Sequence, residues 1–186
     1  TCFLLFILFF SFLWIPYLDT YFFINYLKTI ELWFNRFEFN ASIFYVIREV
    51  GFYIKGYNII QEFGKITPFV LIIFILFFTF LQKNKSLKKL LINQLLLLSI
   101  YFFISTTVHP WYIISLVILC IFTPYFYPIV WSATIFLSYS AYTLNGVQES
   151  STLILLEYLI VFGVFIFEVF GGGDKIFKAF SKNSIP

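Results

Sequence analysis

The chain has 186 residues and a formal net charge of +3 at pH 7, and its composition is 61% hydrophobic and only 11% charged. Globular proteins carry roughly 45–50% apolar and about 25% charged residues, and a soluble fold of this length cannot bury such an apolar excess. A water-soluble enzyme, a nucleic-acid-binding protein and a disordered linker are therefore excluded, and lipid is the solvent that fits.

The beginning of the chain indicates a part of a longer protein. There is no Met, and Thr1 opens directly onto an apolar run. A natural start keeps an initiator Met or shows a processing site. We therefore expect 1–186 to be a single membrane domain, the carboxyl-terminal part of a larger protein.

Apolar runs predict the membrane-crossing helices, because a span needs about 20 mostly apolar residues. The fold class we expect is all-α, a polytopic transmembrane helix bundle of about six spans. In the long apolar run after Trp111, Pro124 suits a turn and Pro128 suits the first turn of a new helix, so this run is divided into two short spans. The predicted spans are 3–18, 66–81, 90–108, 111–123, 128–144 and 153–170.

The segment 19–65 is too long for a simple turn and too apolar for a free loop. Apolar residues recur at helical spacing over 22–37 and again over 43–57. We predict two amphipathic helices that lie on the outer bilayer face. Between them, Asn40 or Ser42 is a candidate helix cap.

Positive charge predicts the orientation of the bundle. Lysines without acids separate the second and third predicted spans, and further lysines follow the last span. The positive-inside rule places both groups on the cytoplasmic side, and the even number of spans between them agrees. The segments 19–65 and 145–152, and His109, are then outside. The lysines are Lys83, Lys85, Lys88, Lys89, Lys175, Lys178 and Lys182.

Two cations of the outer segment are candidate ligands of an anion. Arg48 and Lys55 are seven residues apart and so share one helix face. Such a pair above a bilayer can hold a phosphate. Contact with lipid headgroups, or a solvated face, is the alternative interpretation.

The only histidine, His109, precedes Pro110 at the outer end of a predicted span. Pro110 disfavours helical geometry at His109 and starts the next helix. Trp111 and Tyr112 follow, and such aromatic residues anchor helices at the interface. The functional alternative is a ligand site in which His109 donates to an anionic oxygen.

Glu157 and Glu168 lie within the last predicted span. Ionisable groups at membrane depth are functional candidates. Both are near a predicted helix end, so snorkelling of the carboxylates to the interface is the simpler interpretation.

Three stretches together resemble one protein family. They are RFEFNASIFYVIREVGFYIKGYN at 36–58, TTVHPWYIISL at 106–116 and YPIVWSATIFLSYSAY at 127–142. They resemble the carboxyl-terminal part of bacterial multi-span mannosyltransferase-like proteins. These are GT-C type glycosyltransferases, which take a sugar from a polyprenyl-phosphate carrier.

The resemblance implies an enzyme of the bacterial inner (cytoplasmic) membrane that moves a hexose, such as mannose, to an acceptor on the outer side. Its expected partners are the lipid bilayer and the polyprenyl-phosphate-sugar donor, without nucleic acid, and no metal or other cofactor is identified. The catalytic base is expected upstream of Thr1, so the chain alone is expected to be inactive. The implied donor phosphate-binding residues are His109, Arg48 and Lys55, and the implied lipid or sugar contacts are Trp111 and Tyr112.

Two non-enzymatic functions remain open. A transporter or lipid-flippase subunit needs polar residues that line the spans at mid-depth, and Asn93 and Gln94 are the main candidates. A membrane assembly partner would bind another membrane protein through its aromatic surface.

Overall fold

The computed structural model of the protein describes residues 2–17, 19, 21–82, 86–144 and 146–171. The fold is all-α, 78% helical, with eight α-helices in the described part of the chain. A short antiparallel pair joins β1 (Tyr142–Thr143) to β2 (Gly146–Val147). The chain divides into two compact units between Phe37 and Glu38.

The first unit contains α1 (Cys2–Trp14) and α2 (Phe22–Asn35), and a 3-10 turn follows α1. Asp19 precedes α2, and its Oδ1 accepts the backbone N–H of Tyr21 at 2.9 Å and of Phe22 at 2.5 Å, which satisfies donors that a helix start leaves without internal partners. The described side chains of α1 from Phe3 onward are exposed and almost all apolar, which fits a lipid environment.

The second unit begins with α3 (Ile43–Lys55). This helix ends at Gly56, whose φ of 77° is left-handed and whose N–H donates to the Phe52 carbonyl oxygen at 3.0 Å. Glycine adopts that conformation without steric cost. Ser42 occupies the predicted cap position, but its hydroxyl donates to the carbonyl oxygen of Phe103 at 2.7 Å instead.

The helices α2 and α3 coincide with the predicted amphipathic helices to within two residues at each end. The amphipathic spacing is a local signal, so it locates both helices in the sequence. Their placement on the outer bilayer face stays a prediction.

Three helices in the described part of the chain are long and apolar enough to cross a membrane. The first joins α4 (Ile60–Leu76) to a π-helical turn and spans Ile60–Leu81. The others are α5 (Leu87–Ile104) and α8 (Ser151–Phe170). They correspond to predicted spans 66–81, 90–108 and 153–170. Because α4 begins at Ile60, its first turns belong to the segment predicted to be an outer loop.

The remaining predicted spans, and with them the count of six, are not confirmed. The 13 residues of α1 reach about 20 Å, which is short of the roughly 30 Å hydrocarbon core. The region predicted as 111–123 contains only α6 (Ile114–Cys120), preceded by a 3-10 turn that starts at Pro110. The region 128–144 contains α7 (Tyr127–Thr134), with Pro128 in its first turn as expected, and 3-10 helix to Ala141.

The lysines behind the predicted orientation fall mostly outside the described residues. This holds for Lys83, Lys85 and the tail lysines, whereas Lys88 and Lys89 lie in the first turn of α5. The cytoplasmic position of this turn stays a prediction.

The core of the second unit lies between α5, α6, α7 and α8, and Trp131 is its largest fully buried side chain. The Trp131 ring stacks on Phe103 at 4.8 Å and meets Tyr158 edge-on at 6.0 Å. Aromatic pairs in these geometries are favourable beyond the area they bury. They join the three longest core helices around one point.

Residues 38–42 connect to the far end of α5. The Phe39 N–H donates to the Thr106 carbonyl oxygen at 3.0 Å, and the Val108 N–H donates to the Phe39 carbonyl oxygen at 2.8 Å. Asn40, next in the chain, contacts residues at the beginning of α8. The segments predicted to be outside around positions 40, 109 and 150 thus meet at one end of the second unit.

Candidate functional site

A groove with a cavity volume of about 570 Å³ lies between α3 and α8. That volume is within the range of sites for drug-sized ligands, roughly 300–1,000 Å³. The α8 side supplies mostly apolar side chains, whereas α3 supplies charged and hydroxyl groups. Its lining residues include Tyr45, Arg48, Glu49, Leu155, Tyr158 and Leu159.

Arg48 supplies the positive charge of the groove. Its guanidinium contacts Glu38 Oε1 at 2.8 Å and Glu49 Oε1 at 3.0 Å, and it lies 4.3 Å above the Tyr45 ring. Burial disfavours the charged form, but the hydrogen bond to Glu49 and the charge of Glu38 outweigh it and raise the pKa of Arg48. The cation is permanent, and two carboxylates already balance it.

Glu149, which precedes α8, connects α3 to the 38–42 segment. The Tyr45 hydroxyl donates to Glu149 Oε2, and the Asn40 N–H donates to Glu149 Oε1 at 2.6 Å. Burial, then the hydrogen bond and the charge of Glu149, raise the pKa of Tyr45. The phenol therefore stays protonated and acts as a donor.

Asn40 is the residue on which the polar contacts converge. It is fully buried, and its φ of 47° is left-handed, a conformation that Asn tolerates better than most residues. Its Nδ2 donates to Glu157 Oε1 at 3.1 Å, and its carbonyl oxygen accepts from the Tyr158 hydroxyl at 2.6 Å. The hydrogen bonds of Asn40 therefore attach the groove wall at Ser42 to α8.

His109 is buried in an aromatic stack and does not line the groove. Its ring lies 4.9 Å from that of Phe39 and 4.4 Å from that of Trp111, and Tyr112 meets it edge-on at 5.4 Å. Burial lowers the pKa of His109, so the imidazole is neutral at pH 7.

The other predicted phosphate ligand, Lys55, lies at the opposite end of α3 from the groove. Its Nζ is 3.5 Å from Glu62 Oε1 on α4 and 5.8 Å from the Tyr57 ring centroid. About half of the Lys55 side chain is exposed. The structure thus brings Arg48 to the groove, whereas Lys55, Trp111 and Tyr112 are not among its lining residues.

The snorkelling interpretation of the two glutamates of α8 is wrong. Glu157 is 0% exposed and Glu168 is 7% exposed. The Glu168 carboxylate accepts the backbone N–H of Phe126 at 2.9 Å and of Tyr127 at 2.8 Å. It therefore caps α7 from a neighbouring helix, using groups that a helix N-terminus leaves without internal partners.

Several residues of the site are missing from the sequence-based prediction. Tyr45 and Glu49 had a detectable signal, since they are one helical turn apart and flank Arg48 on the same face of α3. Glu149 and Tyr158 had none, because their partners are more than 100 positions away.

The described residues contain no cluster of three or more His, Cys, Asp or Glu side chains that could hold a metal ion. The groove instead presents a guanidinium group, carboxylates and phenols beside apolar side chains. Such a set offers polar contacts for an anionic head and apolar contacts for a hydrocarbon tail.

Comparison with known proteins assigns no family. No protein-family model, curated protein or solved structure matches the chain. The function is therefore argued from the chemistry of the groove together with the sequence resemblance described above.

Proposed function

We propose that this protein is part of an integral-membrane glycosyltransferase of the bacterial inner membrane. It moves a hexose, such as mannose, from a polyprenyl-phosphate donor to an acceptor on the outer side. The resemblance of the stretches at 36–58, 106–116 and 127–142 to GT-C type enzymes supports this proposal. The general base is supplied from outside the described residues.

The observation that carries the proposal is the two-sided chemistry of the groove. Leu155, Leu159 and Phe162 of α8 line one wall, and Arg48 and Tyr45 of α3 lie on the other. Because α8 is apolar and long enough to cross a bilayer, a lipid tail can follow it without leaving the membrane. A ligand with an apolar tail and an anionic head matches both walls.

Arg48 is the proposed contact of the donor phosphate. Of its two carboxylate partners, Glu38 is 26% exposed, whereas Glu49 is 69% exposed. Glu49 can therefore move into solvent when a phosphate replaces it, while Glu38 keeps the guanidinium oriented. Hydrogen bonds from arginine to phosphate are charge-assisted and frequently bidentate, which also stabilises the charge of the leaving group.

His109, Lys55, Trp111 and Tyr112 remain proposed donor contacts. A neutral imidazole still donates one hydrogen bond to an anionic oxygen. His109 stacks on Phe39, three residues before Ser42 of the groove wall. Contact with all four residues requires a donor that extends beyond the groove.

Transfer of sugar from a polyprenyl-phosphate donor by the full-length protein in nanodiscs tests this function. Arg48→Ala should reduce turnover on the order of 10²–10³-fold, as deletions of a donor to a developing negative charge do. His109→Ala should reduce turnover as well. Arg36→Ala is the matched control, because that side chain is 61% exposed and is not part of the groove.

The expected result is loss of transfer in the Arg48 and His109 variants, with the same yield and membrane insertion as the parent. If the full-length protein transfers no sugar from any polyprenyl-phosphate donor, the function is wrong. If Arg48→Ala transfers at the rate of Arg36→Ala, the groove does not hold the phosphate.

A further inference from the structure

Glu157 of α8 is a fully buried carboxyl group whose hydrogen bonds all fall on one oxygen. Its Oε1 accepts from Asn40 Nδ2 at 3.1 Å and from Trp131 Nε1 at 3.2 Å. Its Oε2 has no hydrogen-bond partner in the described part of the chain. Buried polar atoms are nearly always paired, so this oxygen needs an explanation.

Asn40 shows the complementary pattern. Its Nδ2 donates to Glu157, but its Oδ1 is buried and has no partner among the residues that the structure describes. Two unpaired oxygens thus belong to two side chains that are already hydrogen-bonded to each other. Both are acceptors when Glu157 is ionised, and neither can satisfy the other.

Among the residues that the structure describes, Glu157 has no ion pair that would compensate an anion. The titratable groups that interact with it are Glu149 and Tyr158, and both are acids. Arg48, the cation of the groove, is paired with Glu38 and Glu49. A buried carboxylate without a cation is strongly disfavoured, because nothing compensates the loss of its hydration.

We propose that Glu157 is held as the neutral acid at physiological pH and donates its Oε2 proton to Asn40 Oδ1. The two side chains then form a cyclic acid–amide pair with one hydrogen bond in each direction. A single proton satisfies both unpaired oxygens and removes the uncompensated charge.

Glu168, on the same helix, has a different environment from that of Glu157. It accepts backbone N–H groups of Phe126 and Tyr127 at the positive end of α7, so an anion is stabilised there without a cation. The two glutamates of α8 therefore differ, because both Glu168 oxygens accept backbone N–H groups, whereas Glu157 Oε2 has no donor in the described part of the chain.

Protonated Glu157 acts as a positioning residue for the segment around Asn40. It fixes Asn40, and the adjacent Phe39 both pairs with the backbone of 106–108 and stacks on His109. The same segment continues into Ser42 of the groove wall. This inference does not depend on the proposed glycosyltransferase activity.

Infrared spectroscopy of the full-length protein in lipid nanodiscs at neutral pH tests the protonation state directly. The parent should show a deuterium-sensitive carbonyl band of a protonated carboxylic acid that is missing in Glu157→Gln and retained in Glu149→Gln. A parent-minus-Glu157→Gln spectrum that contains only carboxylate bands would overturn the proposal.

Unfolding equilibria in detergent give an independent test. Gln replaces both hydrogen bonds of a neutral acid, so Glu157→Gln should change the unfolded-to-folded ratio by no more than about twofold. Glu157→Leu leaves both ends of the Asn40 amide buried and unpaired, and should raise that ratio about tenfold or more. Equal destabilisation by Gln and Leu would show that an amide cannot replace the Glu157 carboxyl group, and it would overturn the acid–amide pair.

Discussion

The Tyr158 hydroxyl donates a hydrogen bond of 2.6 Å to the carbonyl oxygen of Asn40, although the two residues are 118 positions apart in the chain. This contact joins α8, which is long and apolar enough to cross a membrane, to the segment that precedes α3. Both walls of the groove therefore depend on Asn40, and substitutions there should affect the site and the fold together.

The left-handed conformation of Asn40 gives a prediction on stability. Asn40→Ala loses the side-chain hydrogen bond to Glu157. It also places alanine at φ 47°, and alanine has no polar side chain that could stabilise the left-handed conformation. Asn40→Gly loses the same hydrogen bond but accepts that φ without strain. We expect both variants to be less stable than the parent, with Ala below Gly by about 1 kcal/mol.

Denaturant unfolding in detergent measures this difference, because both variants lack the same amide. An Ala variant as stable as the Gly variant would show that the backbone of residues 38–42 relaxes out of the left-handed region.

The cap supplied by Glu168 gives a second prediction. Glu168→Ala leaves the N–H groups of Phe126 and Tyr127 without their acceptor, and one buried unsatisfied group costs about 1–3 kcal/mol. We expect a loss of stability of that size, measured by unfolding. The exposed neighbour Phe167→Ala is the control and should change stability less than Glu168→Ala does.

The orientation of the chain can be tested by cysteine labelling. Ser86→Cys and Gln148→Cys are placed singly in a background without Cys2 and Cys120, and both positions are exposed. A membrane-impermeant thiol reagent added to intact cells should label position 148 and not position 86. Labelling at 86 but not at 148 contradicts the positive-inside assignment.

The lowered pKa of His109 gives a prediction on pH dependence. Because the folded state binds the imidazolium proton less well than the unfolded state, His109 contributes stability above the unfolded pKa of about 6.5. That contribution is lost as pH falls through about 6.5 and below. The parent should therefore lose more thermal stability than His109→Asn does when pH is lowered from about 7 to about 5.5.

Carboxylates titrate in both proteins and cancel in that comparison. Parallel loss of stability in the parent and in His109→Asn would show that the imidazole accepts its proton freely in the folded state.

Hydropathy predicted the three helices that are long and apolar enough to cross a membrane, because a long apolar run is a local feature of the sequence. The six-span prediction is not confirmed around Pro110 and Pro128, where the apolar runs fold into helices of seven and eight residues extended by 3-10 turns. Pro128 predicted the start of α7, but the cap that Glu168 supplies there is a long-range contact, which sequence spacing does not report.

The difference between local patterns and long-range contacts also decides which site residues the sequence predicts. Arg48 was predicted because it lies on the polar face of an amphipathic helix, a pattern readable within one segment. The Asn40–Glu157 pair joins positions 117 residues apart, and no period or motif connects them. Burial of Glu157 was likewise unpredictable, because a glutamate near a helix end usually reaches the interface.

In the proposed function, the groove between α3 and α8 holds the apolar tail of the donor. Leu155 lines the groove and is 60% exposed, whereas its neighbour Leu156 is 47% exposed and does not line it. Leu155→Trp fills the groove, and Leu156→Trp adds the same bulk elsewhere on α8. The two variants therefore separate occupation of the groove from a general effect of a tryptophan in the span.

The deciding measurement is the initial rate of sugar transfer from a polyprenyl-phosphate donor by the full-length protein in nanodiscs. We predict that Leu155→Trp lowers this rate on the order of tenfold or more, because the donor tail would have to overlap the indole. Leu156→Trp should stay within about twofold of the parent. Parental rates in Leu155→Trp, at equal protein in the membrane, would contradict the placement of the donor in this groove.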